Sequence, residues 1–83
     1  MNVMVRYFAS IREALGLSSE ALDTPAASVA ELRAELISRG GAYTEVLAQG
    51  RAVRMALNQD LCEATAALSE GCEVAFFPPV TGG

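Results

Sequence analysis

In two stretches of the chain, side chains at every second position form an apolar set, and this period of two predicts β-strands with one buried face. The first runs from Asn2 to Ala9 and the second from Cys72 to Phe77. In the first stretch the inward set is Val3, Val5 and Tyr7, and the outward set is Met4, Arg6 and Phe8. In the second, Val74 and Phe76 are predicted to face the core, and Ala75 and Phe77 the opposite side.

Weaker alternation predicts three further strands. Residues 18–23 form a candidate strand that stops at Thr24-Pro25. A strand is also predicted over residues 51–57. Its inward residues are Val53, Met55 and Leu57, and its outward residues are Ala52, Arg54 and Ala56. The pair Asn58-Gln59 then predicts a turn into a short strand around Leu61-Cys62, and Ser69-Glu70-Gly71 predicts another turn.

Helical spacing indicates one main helix. Ser28 is predicted to cap it, Glu31 to complete a capping box and Gly40 to end it. One stripe of this helix carries its apolar residues, Val29, Leu32, Leu36 and Ile37. A shorter helix is predicted from a Ser10–Glu13 capping box to Gly16, and Tyr43, Val46 and Leu47 suggest one more helical turn.

These elements predict an α+β fold in which one main helix packs on one face of a mixed sheet. The chain has 83 residues, 52% of them apolar, which suffices for one small core. We expect a single domain over residues 1–79 and a flexible tail over residues 80–83. The last strand should lie well inside the sheet in order to anchor that tail.

The net charge is −4, and all six basic residues are arginine. Nucleic-acid binding is disfavoured because it requires a basic face, whereas docking onto a basic partner surface suits the overall charge. No apolar run is long enough to span a membrane and no signal peptide is visible, so we expect a cytoplasmic protein. The absence of lysine disfavours self-conjugation, although the compositional bias of an Ala-, Gly- and Arg-rich genome is the preferred explanation for that absence.

The sequence offers no catalytic centre. It contains no histidine, no nucleophile beside a base and no phosphate-binding glycine loop. Cys62 and Cys72 form no CxxC pair, so we expect no metal site and interpret both as small core residues, with a sulfur-relay role as the alternative. Glu20, Asp23, Glu63 and Glu70 are interpreted as solvated surface residues. Any chemistry must then come from partners.

The C-terminal segment, FFPPVTGG, is the most informative motif. Pro78 and Pro79 lack backbone donors and must end a sheet ladder, while Val80 and Thr81 favour extended backbone. Gly82 and Gly83 have no side chain and would pass through a narrow channel. The motif therefore favours a tail that presents the Gly83 carboxylate as a reactive group. A frayed terminus that happens to end in glycine is the alternative.

This segment, with Val3 to Glu13 and Asn58-Gln59, resembles the small, sulfur-carrying subunits of molybdopterin synthase, a ubiquitin-like family. The resemblance implies a β-grasp fold and a carrier that is not catalytic alone. It implies no bound cofactor: an ATP-dependent, ubiquitin-activating-like enzyme adenylates Gly83, and a sulfur donor converts the adenylate to a thiocarboxylate. The large synthase subunit, in a heterotetramer, then uses this sulfur to form the dithiolene of molybdopterin from a cyclic pyranopterin precursor. Sulfur carriers for thiamine or tRNA thiolation, a ubiquitin-like protein modifier and a plain binding module remain alternatives.

The uncovered face of the sheet is the predicted docking surface. It should carry Phe8 and Phe77 near the root of the tail, with Arg12 and Leu61 at the rim. The expected partner-binding residues are Phe8, Arg12, Leu61, Phe77, Pro78, Pro79, Val80, Thr81 and Gly82, and Gly83 is the sulfur-carrying residue. Two alternatives stay open: the segment from Leu61 to Leu68 folds over both rings, or Arg12 only pairs with a surface carboxylate.

Overall fold

The alternating stretches pair into one mixed sheet in the computed structural model, which describes residues 1–79. The strands are β1 (Asn2–Tyr7), β2 (Ser19–Asp23), β3 (Arg54–Leu57), β4 (Asp60–Leu61) and β5 (Glu73–Phe77). They lie side by side in the order β2-β1-β5-β3-β4. β1 and β5 are parallel, and the other neighbouring pairs are antiparallel. The strand that leads into the C-terminal segment therefore lies in the middle of the sheet, as predicted.

Three helices connect the strands: α1 (Ala9–Leu15), α2 (Val29–Ile37) and α3 (Gly41–Leu47). The apolar stripe of α2 is buried, since Val29, Leu32 and Leu36 are fully inaccessible to solvent. These residues pack with Val3, Val5, Tyr7, Val74 and Phe76 of the sheet into one core. Burial of such side chains is the main source of stability in a domain of this size. The predicted main helix on one sheet face is thus confirmed.

Turn residues determine how the elements are joined. Asn58 and Gln59 both have positive φ, 49° and 73°, as a two-residue hairpin turn between β3 and β4 requires. The Asn58 side chain also accepts a 2.9 Å hydrogen bond from the Glu73 amide, which ties this turn to the start of β5. Gly71, at φ 79°, makes the turn that leads into the same strand.

Some boundaries and caps differ from the predictions. Ser10 lies inside α1; Phe8 is the N-cap, and no side chain caps it. Ser28 does cap α2, but the carboxylate of Glu31 accepts from the Ala27 amide rather than from Ser28. α2 ends at Ile37, capped by Ser38, before Gly40 is reached. These differences amount to one or two residues at each helix end, where the helical backbone frays and local signals are least decisive.

The predicted strand over residues 51–57 is also too long, because β3 begins only at Arg54. Its inward residues Val53, Met55 and Leu57 do pack against the core. Ala56 faces the other side as predicted, yet it is only 7% exposed. It lies directly opposite Ala75, and the larger side chains around this pair shield both alanines from solvent.

Candidate functional site

The helices cover one face of the sheet and leave the other open. On that open face Phe8 is 39% and Leu61 75% exposed, while Phe77 is half-buried. Leu61 belongs to this face because it lies opposite Ala56 in the β3–β4 pair. We refer to the surface formed by Phe8, Leu61, Phe77 and the alanines between them as the open-face patch. The structure therefore brings together three side chains that the sequence predicted for docking.

The open-face patch surrounds a shallow groove of about 450 Å³. The groove is lined by Phe8, Ala56, Gln59, Leu61, Glu73, Ala75 and Phe77. Two alanines form its floor, and larger side chains from β4, β5 and the end of β1 form its walls. Small residues at the centre and aromatic residues at the edge give a surface that can accept a protruding apolar side chain from a partner.

The loop after β4 does not bury this patch. Its backbone runs beside α2, where the Val29 amide donates to the Ala66 carbonyl at 3.0 Å and the Leu68 amide donates to the Ala27 carbonyl at 3.0 Å. Leu68 is consequently buried on the helical side of the sheet. The alternative in which residues 61–68 fold over Phe8 is therefore wrong.

The two prolines follow directly on the end of β5 at Phe77, as their lack of backbone donors requires. Pro78 and Pro79 are both half-buried. Pro78 borders a second groove, between α1, α3 and residues 50–53, whereas Phe77 borders the open-face groove. The chain thus leaves the sheet at the boundary between two concave surfaces. The predicted tail residues, Val80, Thr81, Gly82 and Gly83, lie outside the described residues.

Arg12 is exposed on α1, four residues after Phe8 of the open-face patch. The Arg12 amide donates to the Phe8 carbonyl at 3.3 Å. Phe8 is itself attached to the tail strand, because its amide donates to the Phe76 carbonyl at 3.2 Å. Within residues 1–79, Arg12 has no carboxylate within 4.0 Å, so the alternative in which it only pairs with a surface carboxylate is not seen there.

Sequence reasoning missed a polar cluster on the helical side of the sheet. One carboxylate, that of Glu20 on β2, accepts from Tyr7 at 2.7 Å, from Tyr43 at 2.8 Å and from Arg39 at 2.9 Å. The interpretation of Glu20 as a solvated surface residue is therefore wrong. Its partners lie 13 to 23 residues away, so no local motif could have revealed them.

The titration behaviour of this cluster follows from its contacts. Burial by itself raises the pKa of Glu20, but the hydrogen bonds from Arg39, Tyr7 and Tyr43 outweigh burial and lower that pKa overall. Burial and the hydrogen bond to Glu20 raise the pKa of Tyr7 far above its ordinary value. Glu20 therefore remains ionised and Tyr7 remains a donor at neutral pH. The cluster connects β1, β2, α3 and the end of α2, and it serves the fold.

Arg33 is a second residue that the sequence did not single out. It is only 7% exposed, and its guanidinium donates to the carbonyls of Leu47 at 2.7 Å, Ala48 at 2.8 Å and Arg51 at 3.3 Å. Burial lowers its pKa. The side chain closes the C-terminal end of α3 and holds the segment that borders Pro78.

The remaining candidates for chemistry among the described residues are a metal site and the two cysteines. Residues 1–79 contain no group of three His, Cys, Asp or Glu side chains placed to hold a metal ion. Cys72 is buried and Cys62 half-buried, which fits their interpretation as small apolar residues, and burial followed by the charge of Glu63 raises the pKa of the Cys62 thiol. No helix in this part of the chain is long and apolar enough to cross a membrane.

The five-stranded mixed sheet, the main helix on one of its faces and the central last strand define a ubiquitin-like β-grasp protein. The chain belongs to the ThiS family, whose sequence model matches residues 5–83.

Known relatives agree with this assignment. The chain is 37% identical over 83 residues to the molybdopterin synthase sulfur carrier subunit of Haemophilus influenzae, with 100% of this chain and 99% of that protein covered. It is 35% identical over 81 residues to the subunit of the same name from Escherichia coli, with 98% and 99% covered.

A solved structure extends the likeness to three dimensions. It is a protein–protein complex of subunits 1 and 2 of the molybdopterin-converting factor from Helicobacter pylori. The chain superposes on it with a TM-score of 0.70 and 31% identity, and both chains are covered completely.

Proposed function

We propose that this protein is the sulfur-carrier subunit of a molybdopterin synthase. The observation that carries the proposal is a central strand that ends in two prolines beside an uncovered apolar patch, in a chain similar over its whole length to carriers of that name. The family match includes the Gly82-Gly83 pair. The described part of the chain holds the C-terminal segment and offers a surface for docking.

The proposed chemistry takes place at the Gly83 carboxylate. A carboxylate is a poor electrophile, so an activating enzyme first attaches AMP from ATP and releases pyrophosphate. A sulfur donor then displaces AMP and leaves a thiocarboxylate. The two terminal glycines present no side chain to obstruct either enzyme.

The carrier with its thiocarboxylate then docks on the large synthase subunit through the open-face patch. Phe8, Leu61 and Phe77 are the proposed apolar contacts, with Arg12 at the rim. Pro78, Pro79, Val80, Thr81 and Gly82 are proposed to lead Gly83 into the active site of that subunit. There the sulfur passes to the pyranopterin precursor.

Catalytic groups are assigned to the partners in this proposal. The large subunit supplies the acid, base and anion-binding groups, and a heterotetramer is the proposed assembly. The pairing of a carrier with a second subunit is supported by the related complex of subunits 1 and 2 of the molybdopterin-converting factor from Helicobacter pylori. We place this chemistry in the cytoplasm, since both cysteines are free, as is usual for proteins of a reducing compartment.

The proposal is tested by intact-mass measurement after incubation with the cognate activating enzyme, ATP and a sulfur donor. The wild-type chain should exchange one oxygen for sulfur, whereas variants that lack Gly83 or carry one added residue after it should not. Thermal midpoints of these variants should match wild type. Normal sulfuration of the extended variant would contradict the proposal.

A second step separates the synthase carrier from its rivals. The thiocarboxylated protein, mixed with the cognate large subunit and the pyranopterin precursor, should yield molybdopterin. A carrier for thiamine or tRNA thiolation would be sulfurated but inactive in this assay. A protein modifier would instead give a ladder of higher-mass conjugates in cell extract.

A further inference from the structure

Few charged side chains share the central part of the open face. By strand register they are Arg6, opposite Ala75, Glu73, opposite Met4, and Arg54, opposite Phe77. Arg6 and Glu73 form an ion pair with an N–O distance of 3.9 Å, and the Arg6 guanidinium also lies 5.6 Å from the centre of the Phe8 ring. These two charges therefore largely compensate one another.

Arg54 differs from Arg6 in having no such compensation. It is exposed, and within residues 1–79 no carboxylate lies within 4.0 Å of it. Arg54 also borders a further groove, beside β3 and β4, that is distinct from the open-face groove. Glu63 borders that further groove too, but it does not form an ion pair with Arg54. In an antiparallel pair the side chains of opposed residues lie on the same face, so Arg54 stands beside Phe77.

This position has an energetic consequence once the open-face patch is covered. A partner that buries Phe77 must also remove water from Arg54, and a guanidinium without an acceptor is costly to desolvate. Among side chains, a carboxylate satisfies a guanidinium best, since it accepts two parallel hydrogen bonds. An apolar or basic surface opposite Arg54 would be rejected.

We infer that the partner surface that covers the open-face patch carries a carboxylate that pairs with Arg54, and that this pair selects the partner. The inference rests on the proposed function, because it takes the large synthase subunit as that partner. It also reverses, for this face, the expectation drawn from the net charge of −4, which favoured a basic partner. The overall charge comes mainly from carboxylates elsewhere, whereas among residues 1–79 the charge beside Phe77 that has no ion-pair partner is positive.

The test is the affinity of four variants for the cognate large subunit, measured by calorimetry at low and high salt. Arg54→Gln removes the charge and Arg54→Glu reverses it. Arg54→Lys keeps the charge but replaces the planar guanidinium, which can donate two parallel hydrogen bonds, with an ammonium group. Ala34→Glu is the matched control: it changes the net charge by the same amount as Arg54→Gln, but on the exposed side of α2. Thermal midpoints verify that every variant is folded.

We expect Arg54→Gln to weaken binding at least tenfold and Arg54→Glu at least about 30-fold. Arg54→Lys should fall between Arg54→Gln and wild type, and Ala34→Glu should stay within about twofold of wild type. Salt should weaken the wild-type complex more than the Arg54→Gln complex.

Two results would overturn the inference alone. One is an Arg54→Glu variant that binds as tightly as wild type while Phe77→Asp does not bind. The open-face patch would then be the docking surface, but Arg54 would form no ion pair with the partner. The other is a wild-type self-association that Arg54→Glu abolishes, which would make a second copy the occupant. If the wild-type chain does not bind the large subunit at all, the proposed function fails together with this inference.

Discussion

Phe8 and Phe77 border the same groove although 68 residues separate them in the chain. The parallel pairing of β1 with β5 brings them together, and the Phe8 amide extends that pairing through its hydrogen bond to the Phe76 carbonyl. Each ring sits just beyond a fully buried aromatic residue, Tyr7 or Phe76. The core therefore fixes the position of the rings, while the rings themselves remain available for contact.

The first prediction concerns these two rings. Each could contribute about 2–3 kcal/mol to binding when covered, so Phe77→Asp should reduce affinity for the large subunit by about 100-fold or more. Phe8→Asp should reduce it less, because Phe77 also sets the direction of the proline exit. Binding titrations and thermal midpoints measured together provide the check.

Met4→Asp is the control for this pair. Met4 lies on the same face of β1 and is 40% exposed, but it is at the end of the strand away from the tail. It should cost less affinity than either aromatic substitution. A collapsed thermal midpoint for Phe77→Asp, with binding retained in the folded fraction, would instead assign both rings to the core.

The second prediction concerns the polar cluster around Glu20. Replacement by alanine leaves the hydroxyl of the fully buried Tyr7 without its acceptor, which costs about 1–3 kcal/mol of unfolding free energy. Glu45→Ala, on the exposed side of α3, should change stability by less than about 0.5 kcal/mol. Chemical denaturation measures both variants, and equal losses would show that the cluster adds nothing specific.

The third prediction is a pH dependence that follows from the same carboxylate. Because the folded protein lowers the pKa of Glu20, its contribution is fully present above the unfolded pKa of about 4.3 and is lost as the pH falls through the folded value. The stability difference between wild type and Glu20→Gln should be constant from about pH 7 to 5 and shrink below about pH 4. A difference that persists unchanged at the acid end would be inconsistent with this linkage.

The fourth prediction concerns Arg33. Arg33→Met keeps most of the apolar volume but removes the guanidinium donor from the carbonyls of Leu47, Ala48 and Arg51, of which Ala48 keeps only its bond from the Arg51 amide, so stability should fall by about 2 kcal/mol or more. Arg33→Lys should lose less, since an ammonium can still donate to some of these carbonyls. Denaturation midpoints test the order; a more stable methionine variant would mean that desolvation of the guanidinium outweighs its hydrogen bonds.

The fifth prediction compares two glycines. Gly16 closes α1 at φ 76° with open space around the position of a Cβ atom, so Gly16→Ala should cost about 1 kcal/mol through backbone strain alone. Gly50 also has open space but no positive φ, so Gly50→Ala should be neutral or slightly stabilising. Equal effects in thermal denaturation would rule out the conformational explanation.

The sequence by itself determined the features that depend on near neighbours. Alternation identified the buried faces of β1 and β5, Ser28 identified the start of α2, and Gly16 identified the end of α1. Prolines without donors placed the end of the last strand at Phe77. Each of these signals acts through bonds or contacts only a few residues apart, so it can be read directly from the chain.

The tertiary structure alone decided what depends on distant partners. Strand order placed Arg54 beside Phe77 and Ala56 beneath larger neighbours, although both alternate outward in the sequence. Glu20 and Arg33 are of residue types that usually lie at the surface. They are buried or hydrogen-bonded here only because helices and strands from other parts of the chain supply their partners. The physical reason is that a polar side chain has no fixed location of its own. Its burial is favourable only where the assembled fold completes its hydrogen bonds, and that environment comes from residues far away in the chain.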